Sequence, residues 1–365
     1  MARLAGGRTR RPPLEPLQRL ETPTRVSVIV PTLNEEARIS PCLEGLHAQG
    51  PEVVEILVVD SRSKDGTVAK VEAMAKRDPR FRVVYDDPLP TGWIGRPWAL
   101  QFGFLQSDAQ SEWILGVDAD TLPQPGLVAA IVNAARSGNY EALSLSPQFK
   151  LKGIAESWLQ PALLITLIYR FGPTGVQADP APERVMANGQ CSLLKRAMMV
   201  KMDGYTCAKR SFCDDVTLAR SLASRGVRVG FQDGAKLIKV RMYDSALETW
   251  NEWGRSLDLK DASTPGLQWL DVVFLALAQG LPIPILIAVI FGGLAGGAET
   301  TALTWINGML LTIRLLLLFG VRSSYDAVQW SFWLSPLADP LAALRILIST
   351  LSVPKSWRGR SYADF

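Results

Sequence analysis

Histidine is nearly absent: His47 is the one imidazole in 365 residues. Zinc and di-iron sites built on several imidazoles are excluded with it, as are most Ser-His-Asp triads, so acid–base work falls to carboxylates. Cysteine is scarce as well. Cys42, Cys191, Cys207 and Cys213 show no CxxC spacing and read as reduced structural thiols rather than a disulfide framework or a metal cage. Neither sign of charge dominates: 39 Lys and Arg against 35 Asp and Glu leave a net +4. That is too balanced for a chain that binds nucleic acid by neutralising phosphates. No internal repeat is visible. With 48% hydrophobic and 20% charged residues, disorder and collagen-like or disulfide-scaffold classes are excluded for the chain as a whole.

The first 24 residues lack an apolar segment and carry Arg3, Arg8, Arg10, Arg11 and Arg19 among prolines. This is neither a signal peptide nor an anchor; it reads as a disordered basic arm ahead of a cytosolic domain. From Val26 to about Leu145, strand-like and helix-like segments alternate. VSVIV is followed by a helix opening behind Asn34, then EILVVD, DGTVAKVEAMAKR, FRVVY, a helix near residues 98–106, and EWILGVD. Such a βαβ succession predicts an α/β fold, a mostly parallel sheet with helices on both faces. Its ligands bind beyond the carboxyl ends of the strands. The polar turns NEE, DSRSKDG, DDPLPTGWIGR and DADT fall at those ends. Farther on, IAESWLQPALLITLIYRF contains Glu156, Gln160 and Pro161 and reads as a core or interfacial helix.

After Ala262 charge disappears: residues 272–298 hold no charged side chain. At about 1.5 Å per residue such a run can cross a hydrocarbon core of about 30 Å, although its GLPIP sequence predicts a kink or a break. A second apolar run, 300–321, holds the single charge Arg314. A third, 330–353, is interrupted by Pro336, Asp339, Pro340 and Arg345. Seven of the eleven tryptophans lie beyond residue 249, as expected at membrane interfaces. Among them, Trp250 and Trp253 sit with Arg255 on an amphipathic segment, LETWNEWGRS, suited to the headgroup layer. The tail KSWRGR, with Trp357 and Arg358, is cationic and belongs on the cytosolic side, at the membrane interface. With both ends cytosolic the number of crossings is even; the third run is the one expected to lie in the interface or re-enter, and the first, with its GLPIP sequence, is the alternative.

Four motifs carry chemistry. Asp118 and Asp120 of the DAD triplet follow a strand directly, where two carboxylates can share a hard divalent cation; in isolation the same triplet would be a solvated acidic turn. Asp60 closes EILVVD and can accept hydrogen bonds from a base or ribose, while Asp65 reads as a helix N-cap. DDPLPTGWIGRPWAL surrounds Arg96 with glycines, prolines and the tryptophans Trp93 and Trp98, so that its guanidinium fork can pair with a diphosphate; the plain alternative is a proline-stiffened loop. Asp214 and Asp215 open an amphipathic helix, more acid than one cap needs, and an aspartate there can act as general base. Asn188 and Gln190 of NGQCSLLKR offer further polar contacts.

Together VSVIVPTLNEE, VVDSRSKDGT, GVDADT and DDVTLA resemble glycosyltransferase family 2, which has the GT-A fold, over roughly residues 25–260. GWIGRPWAL and PLADP…WRGRSY look like its membrane-lipid branch, the carotenoid, hopanoid-associated and ceramide-type enzymes, with the bacterial carotenoid glycosyltransferases most alike. The resemblance implies a UDP- or GDP-sugar donor, Mg²⁺ or Mn²⁺, a membrane-lipid acceptor and single displacement with inversion. It implies donor binding by Pro31, Asn34, Glu35, Asp60, Trp93, Arg96, Asp118, Asn188 and Gln190. Metal binding goes to Asp118 and Asp120, and catalysis to Asp215 with Asp214. Membrane helices at 261–353 and a cytosolic tail at 354–365 complete the expected layout. Where that branch usually has lysine, Arg96 stands. The QxxRW motif of processive polysaccharide synthases is missing, WNEWGR standing in its place, so a single transfer is expected. Two alternatives remain: transfer to a polyisoprenyl phosphate, which needs no base, and a non-catalytic membrane scaffold.

Overall fold

The computed structural model describes residues 10–176, 180–254, 257–291, 297–352, 356–357 and 360–361. The chain divides into two compact units. One is built on a sheet and takes the described residues up to Phe149, from Pro173 to Met242, and the short ladder at 356–361. The other is helical and takes Lys150–Gly172 with the described part of Tyr243–Pro354.

In the sheet unit the strands are β1 (Val26–Thr32), β2 (Val53–Asp60), β3 (Phe81–Tyr85), β4 (Trp113–Val117), β5 (Thr121–Pro123), β6 (Ala142–Ser146), β7 (Gln148–Phe149), β8 (Cys191–Lys195), β9 (Val229–Asp233) and β10 (Ile238–Val240). Seven form one sheet in the order β3-β2-β1-β4-β8-β6-β9. All neighbours run parallel except β8, which is antiparallel to both β4 and β6. The expected mostly parallel α/β sheet is therefore present. Its central strands β1, β2 and β4 are mostly apolar and buried on both faces, as sheets covered on both sides require. Val28, Val30, Leu115 and Val117 point into one core, and Ile29 and Ile114 into the other. Helices α1 (Ile39–His47), α2 (Thr67–Ala75) and α4 (Leu127–Ser137) supply the first core. Helices α3 (Gly95–Gln106), α6 (Arg196–Lys201) and α7 (Asp214–Ala223) supply the second. β5, β10 and β7 make a separate three-stranded sheet.

Two expectations for this unit change. Residues 10–24 are not a disordered arm. Leu14, Leu17 and Leu20 pack on the first core, the Leu14 N–H meets the Asp233 carbonyl at 2.9 Å, and Arg10 pairs with Asp233. Three leucines at every third position give this proline-rich stretch an apolar edge. Helix α1 begins at Ile39, not directly behind Asn34, because Asn34 adopts φ 56° and belongs to a turn. All four cysteines are free thiols.

In the helical unit lie α5 (Ile154–Phe171), α8 (Pro265–Leu275), α9 (Pro282–Phe291), α10 (Ala298–Val321) and α11 (Asp339–Leu351), the last preceded by a 3₁₀ stretch at Trp330–Ala338. Two helices, Ala298–Ser324 and Trp330–Leu351, are long and apolar enough to cross a membrane. The pair Pro265–Gly280 and Pro282–Phe291 passes the same test together but is bent by 44°, at the GLPIP break. The third run thus forms a continuous candidate span, and it is the first run that is broken. Asp339, which interrupts that run, is paired: Arg314 Nε donates to its Oδ2 at 2.7 Å and Gln279 Nε2 to its Oδ1 at 2.9 Å. A buried charge is tolerable when paired and hydrogen-bonded. Helix α5 also belongs to this unit, with Arg170 Nε on Asp271 at 2.9 Å.

Trp250 and Trp253 lie on a π-helical stretch, Thr249–Trp253. Arg345 donates to the Trp250 carbonyl at 2.8 Å and its guanidinium lies 5.6 Å from the Trp250 ring. That ring packs on a cation of α11 inside the unit. Arg255, Arg358 and the Trp357 side chain lie outside the described residues.

Candidate active site

The strand order places the site. The chain steps outward from β1 through β2 to β3, then returns to β4 on the other side of β1, so the order reverses between β1 and β4. Ligands of open α/β sheets bind beyond the strand ends at such a reversal. Asp60 ends β2, and the Asp118–Ala119–Asp120 turn follows β4. β8 is antiparallel and pairs Cys191 with Val117, which brings the preceding residues 188–190 to the same edge.

The acidic turn is fixed by its backbone. The Asp118 carbonyl accepts the Thr121 hydroxyl at 2.7 Å and N–H at 3.2 Å, and the Asp118 N–H meets the Gln190 carbonyl at 3.2 Å. Arg96 Nε and Nη2 reach Asp118 Oδ1 at 3.1 and 2.8 Å, leaving Oδ2 open among the described residues. Asp120 Oδ1 is buried without a hydrogen-bond partner among them. Burial, then the Asp118 charge, pushes the Asp120 carboxyl up to about 7. Two carboxylates at i and i+2, each with an open oxygen, suit a divalent cation. Among the described residues no third carboxylate, imidazole or thiolate joins them.

Arg96 stands in the first turn of α3, an end where the helix dipole disfavours a cation. Its neighbours outweigh that. Besides Asp118 it binds Asp214 and donates to the Gly189 carbonyl at 2.9 Å. A Cβ at Gly189 would stand 2.5 Å from Arg96 Nη2, so the close approach requires glycine there. Gly92, at φ 84°, turns the loop before the helix. Trp93 packs edge-on against Trp98 at 5.3 Å, and the Trp98 indole donates to the Asp86 carbonyl at 2.6 Å.

Asp214 and Asp215 open α7 as expected, with separate partners. Asp214 is 5% exposed and is held by Arg96; burial pushes its carboxyl up to about 6, against the pull of that guanidinium. Asp215 accepts the Gly189 N–H on Oδ2 and the Val216 N–H on Oδ1, both at 2.8 Å. Burial raises its proton affinity too, opposed by the Arg96 charge. Arg96 and Gly189 thereby tie the acidic turn to the helix start.

The remaining expected residues separate. Asp60 is 2% exposed, accepts the Ser63 N–H at 2.9 Å and the Thr32 hydroxyl at 3.3 Å, and shapes its loop from within. Asn34 joins the loops after β1 and β2: its N–H reaches Ser63 Oγ and its Oδ1 accepts the Lys64 N–H, each at 2.8 Å. Asp65 is not the N-cap of α2, a position held by Gly66; from one residue earlier it accepts the Thr67 N–H at 3.0 Å. Asn188 and Gln190 bond to each other, the Gln190 N–H reaching Asn188 Oδ1 at 2.8 Å. Pro31 is half-buried at the end of β1. Glu35 is buried and takes Arg38 Nε on Oε2 at 3.1 Å. Arg38 was missed in the sequence; its only signal is a cation four residues beyond Asn34, inside an acidic turn.

Comparison with known proteins matches residues 27–201 to Glycosyl transferase family 2. A 4,4'-diaponeurosporenoate glycosyltransferase of Staphylococcus haemolyticus is 24% identical over 70% of this chain and 67% of its own length. An undecaprenyl-phosphate mannosyltransferase of Micrococcus luteus is 31% identical over 32% of this chain and 46% of its own. A mannosyltransferase of Pyrobaculum calidifontis, solved with GDP-Man and Mn²⁺, superposes with a TM-score of 0.58 at 18% identity, covering 96% of this chain and 93% of that one. That likeness concerns the fold, a GT-A type sheet followed by helices. Motif, match and fold agree over the sheet domain, whose residues 27–201 match Glycosyl transferase family 2.

Proposed function

We propose that the protein transfers one sugar from a UDP- or GDP-sugar to a hydroxyl of a membrane lipid, with inversion, and that the acceptor is a carotenoid or a related isoprenoid. The observation that carries this reading is the division of labour between Asp214 and Asp215. Asp214 is occupied by Arg96, whereas Asp215 has only backbone N–H partners among the described residues, in a site whose burial raises its affinity for a proton. A carboxylate so placed serves as general base for a hydroxyl, taking the proton as the oxygen attacks the sugar. The candidate spans support a lipid acceptor, and the diaponeurosporenoate enzyme among the relatives supports an isoprenoid one.

Asp118 and Asp120 would hold Mg²⁺ or Mn²⁺ through their open oxygens. When bound, the ion supplies charge neutralisation for the departing diphosphate. Arg96 keeps Asp118 and Asp214 compatible at one site by placing a positive charge between them.

A second reading has support of its own, since one relative acts on undecaprenyl phosphate. An anionic phosphate acceptor needs no base. Transfer by the Asp215→Asn variant to a hydroxyl-bearing isoprenoid and to a polyisoprenyl phosphate separates the two. Loss with the hydroxyl acceptor supports the proposal. A variant as fast as wild type, with polyisoprenyl phosphate as the acceptor consumed, replaces it with the second reading.

A further inference from the structure

We propose that Arg38, rather than Arg96, is the guanidinium that takes the donor's diphosphate; this rests on the nucleotide-sugar reading above. The reason lies in which N–H groups are open. A guanidinium has five N–H donors. Arg96 directs four of them, two at Asp118, one at Asp214 and one at the Gly189 carbonyl, so only one N–H, on Nη1, is left and a phosphate held by two N–H groups must displace one of these partners. Arg38 directs Nε at Glu35 Oε2 at 3.1 Å and Nη1 at the Met242 carbonyl at 3.3 Å. Its Nη2 is open among the described residues, on a side chain 28% exposed. The fork is held at one edge and open at the other, the arrangement suited to phosphate oxygens.

Its location follows from the same contacts. Glu35 is 2% exposed, and its N–H donates to Thr67 Oγ1 at 2.8 Å, so the carboxylate that steers Arg38 is itself fixed. The Met242 carbonyl comes directly after Arg241, whose N–H faces the Asp120 carbonyl at 3.5 Å. Arg38 and the acidic turn therefore converge on residues 241–242, and the Arg38 charge acts on Asp120. Arg38 is also the N-cap of α1, the end of a helix that favours an anion. A diphosphate resting at Asp118 and Asp120 meets the open edge of Arg38. Glu35 then acts as a positioning residue for Arg38.

Calorimetry on the full chain in detergent with Mn²⁺ tests this, using UDP, UMP, GDP and GMP as probes. Arg38→Met is expected to weaken the nucleoside diphosphate bound by wild type by about 10- to 100-fold, the range for a lost charged hydrogen bond. The monophosphate should weaken far less. Arg38→Lys, which keeps the charge and loses the fork, should fall between, and Glu35→Gln should lower the diphosphate-to-monophosphate preference in the same direction. Arg96→Lys, which keeps a cation between Asp118 and Asp214, should leave that preference in place. The inference is overturned if Arg38→Met keeps the wild-type preference, or if Arg96→Lys alone abolishes it. Wild type that binds none of the four probes overturns the nucleotide-sugar reading instead.

Discussion

Replacing Arg96 by methionine removes the cation between Asp118 and Asp214 while keeping most of the apolar stem. Asp214, 5% exposed, would then be a buried carboxylate with no counter-charge. Removing one partner of a buried ion pair costs about 3–5 kcal/mol. For a unit of this size, each kcal/mol shifts the melting temperature by about 2–4 °C, so a fall of roughly 10 °C is expected. The loss depends on pH. The Asp214 carboxyl is raised from 3.8 to about 6 in the folded protein, so its contribution to stability is present below 3.8 and is lost as pH rises through about 6. Without Arg96, which opposes that rise, the folded value climbs further. The gap between variant and wild type is therefore widest near pH 8 and narrows towards pH 5, where the carboxyl is protonated in both. Thermal unfolding in detergent across that range measures it. Equal melting temperatures at every pH would refute the reasoning, since Arg96 would then be a surface cation of no consequence.

Asp118→Ala and Asp120→Ala should each abolish metal-dependent donor binding while the far-ultraviolet spectrum stays unchanged; undiminished turnover in excess EDTA contradicts this. Asp215→Asn should bind donor normally and transfer at least ~100-fold more slowly, the scale of a lost general base; calorimetry and single-turnover kinetics check the two halves. With the raised proton affinity of Asp215, the wild-type rate should fall on the acid side as that carboxyl protonates, and this limb should vanish in the variant. In the helical unit, Asp339→Asn strands Arg314 and should cost about 3–5 kcal/mol, with Arg314→Met/Asp339→Leu recovering part of it; melting temperatures of the three proteins decide.

Much of the sheet could be read from the sequence because its strands are buried on both faces. VSVIV, EILVVD and EWILGV are short apolar runs containing β-branched residues, the latter two leading into carboxylates, and the structure keeps those carboxylates at strand ends. The pairing of Asp214 and Asp215 with a helix start was also legible, since acids at an N-terminus follow from the helix dipole. What could not be read depends on contacts distant in sequence. The Arg96 bond to Asp214 joins residues 118 positions apart, and nothing local to Arg96 reveals that carboxylates already occupy its guanidinium. The apparent cost of Asp339 in an apolar run vanishes only once Arg314 and Gln279 are seen beside it. Helix α5 reads as core or interface by composition, but its place among the later helices depends on Arg170 meeting Asp271. Asn34 misled for a local reason: an asparagine before a polar run resembles a helix cap, yet at φ 56° it turns the chain.

The central claim is that a sugar passes to a lipid hydroxyl through Asp215. Mass spectrometry of total lipids, from a host that makes hydroxylated isoprenoids and expresses either wild type or Asp215→Asn, tests it most directly. The account predicts a lipid heavier by one hexose in the wild-type extract and its near absence in the variant. Equal amounts of the glycosylated lipid in both, or a hexosylated polyisoprenyl phosphate as the sole product, would contradict it.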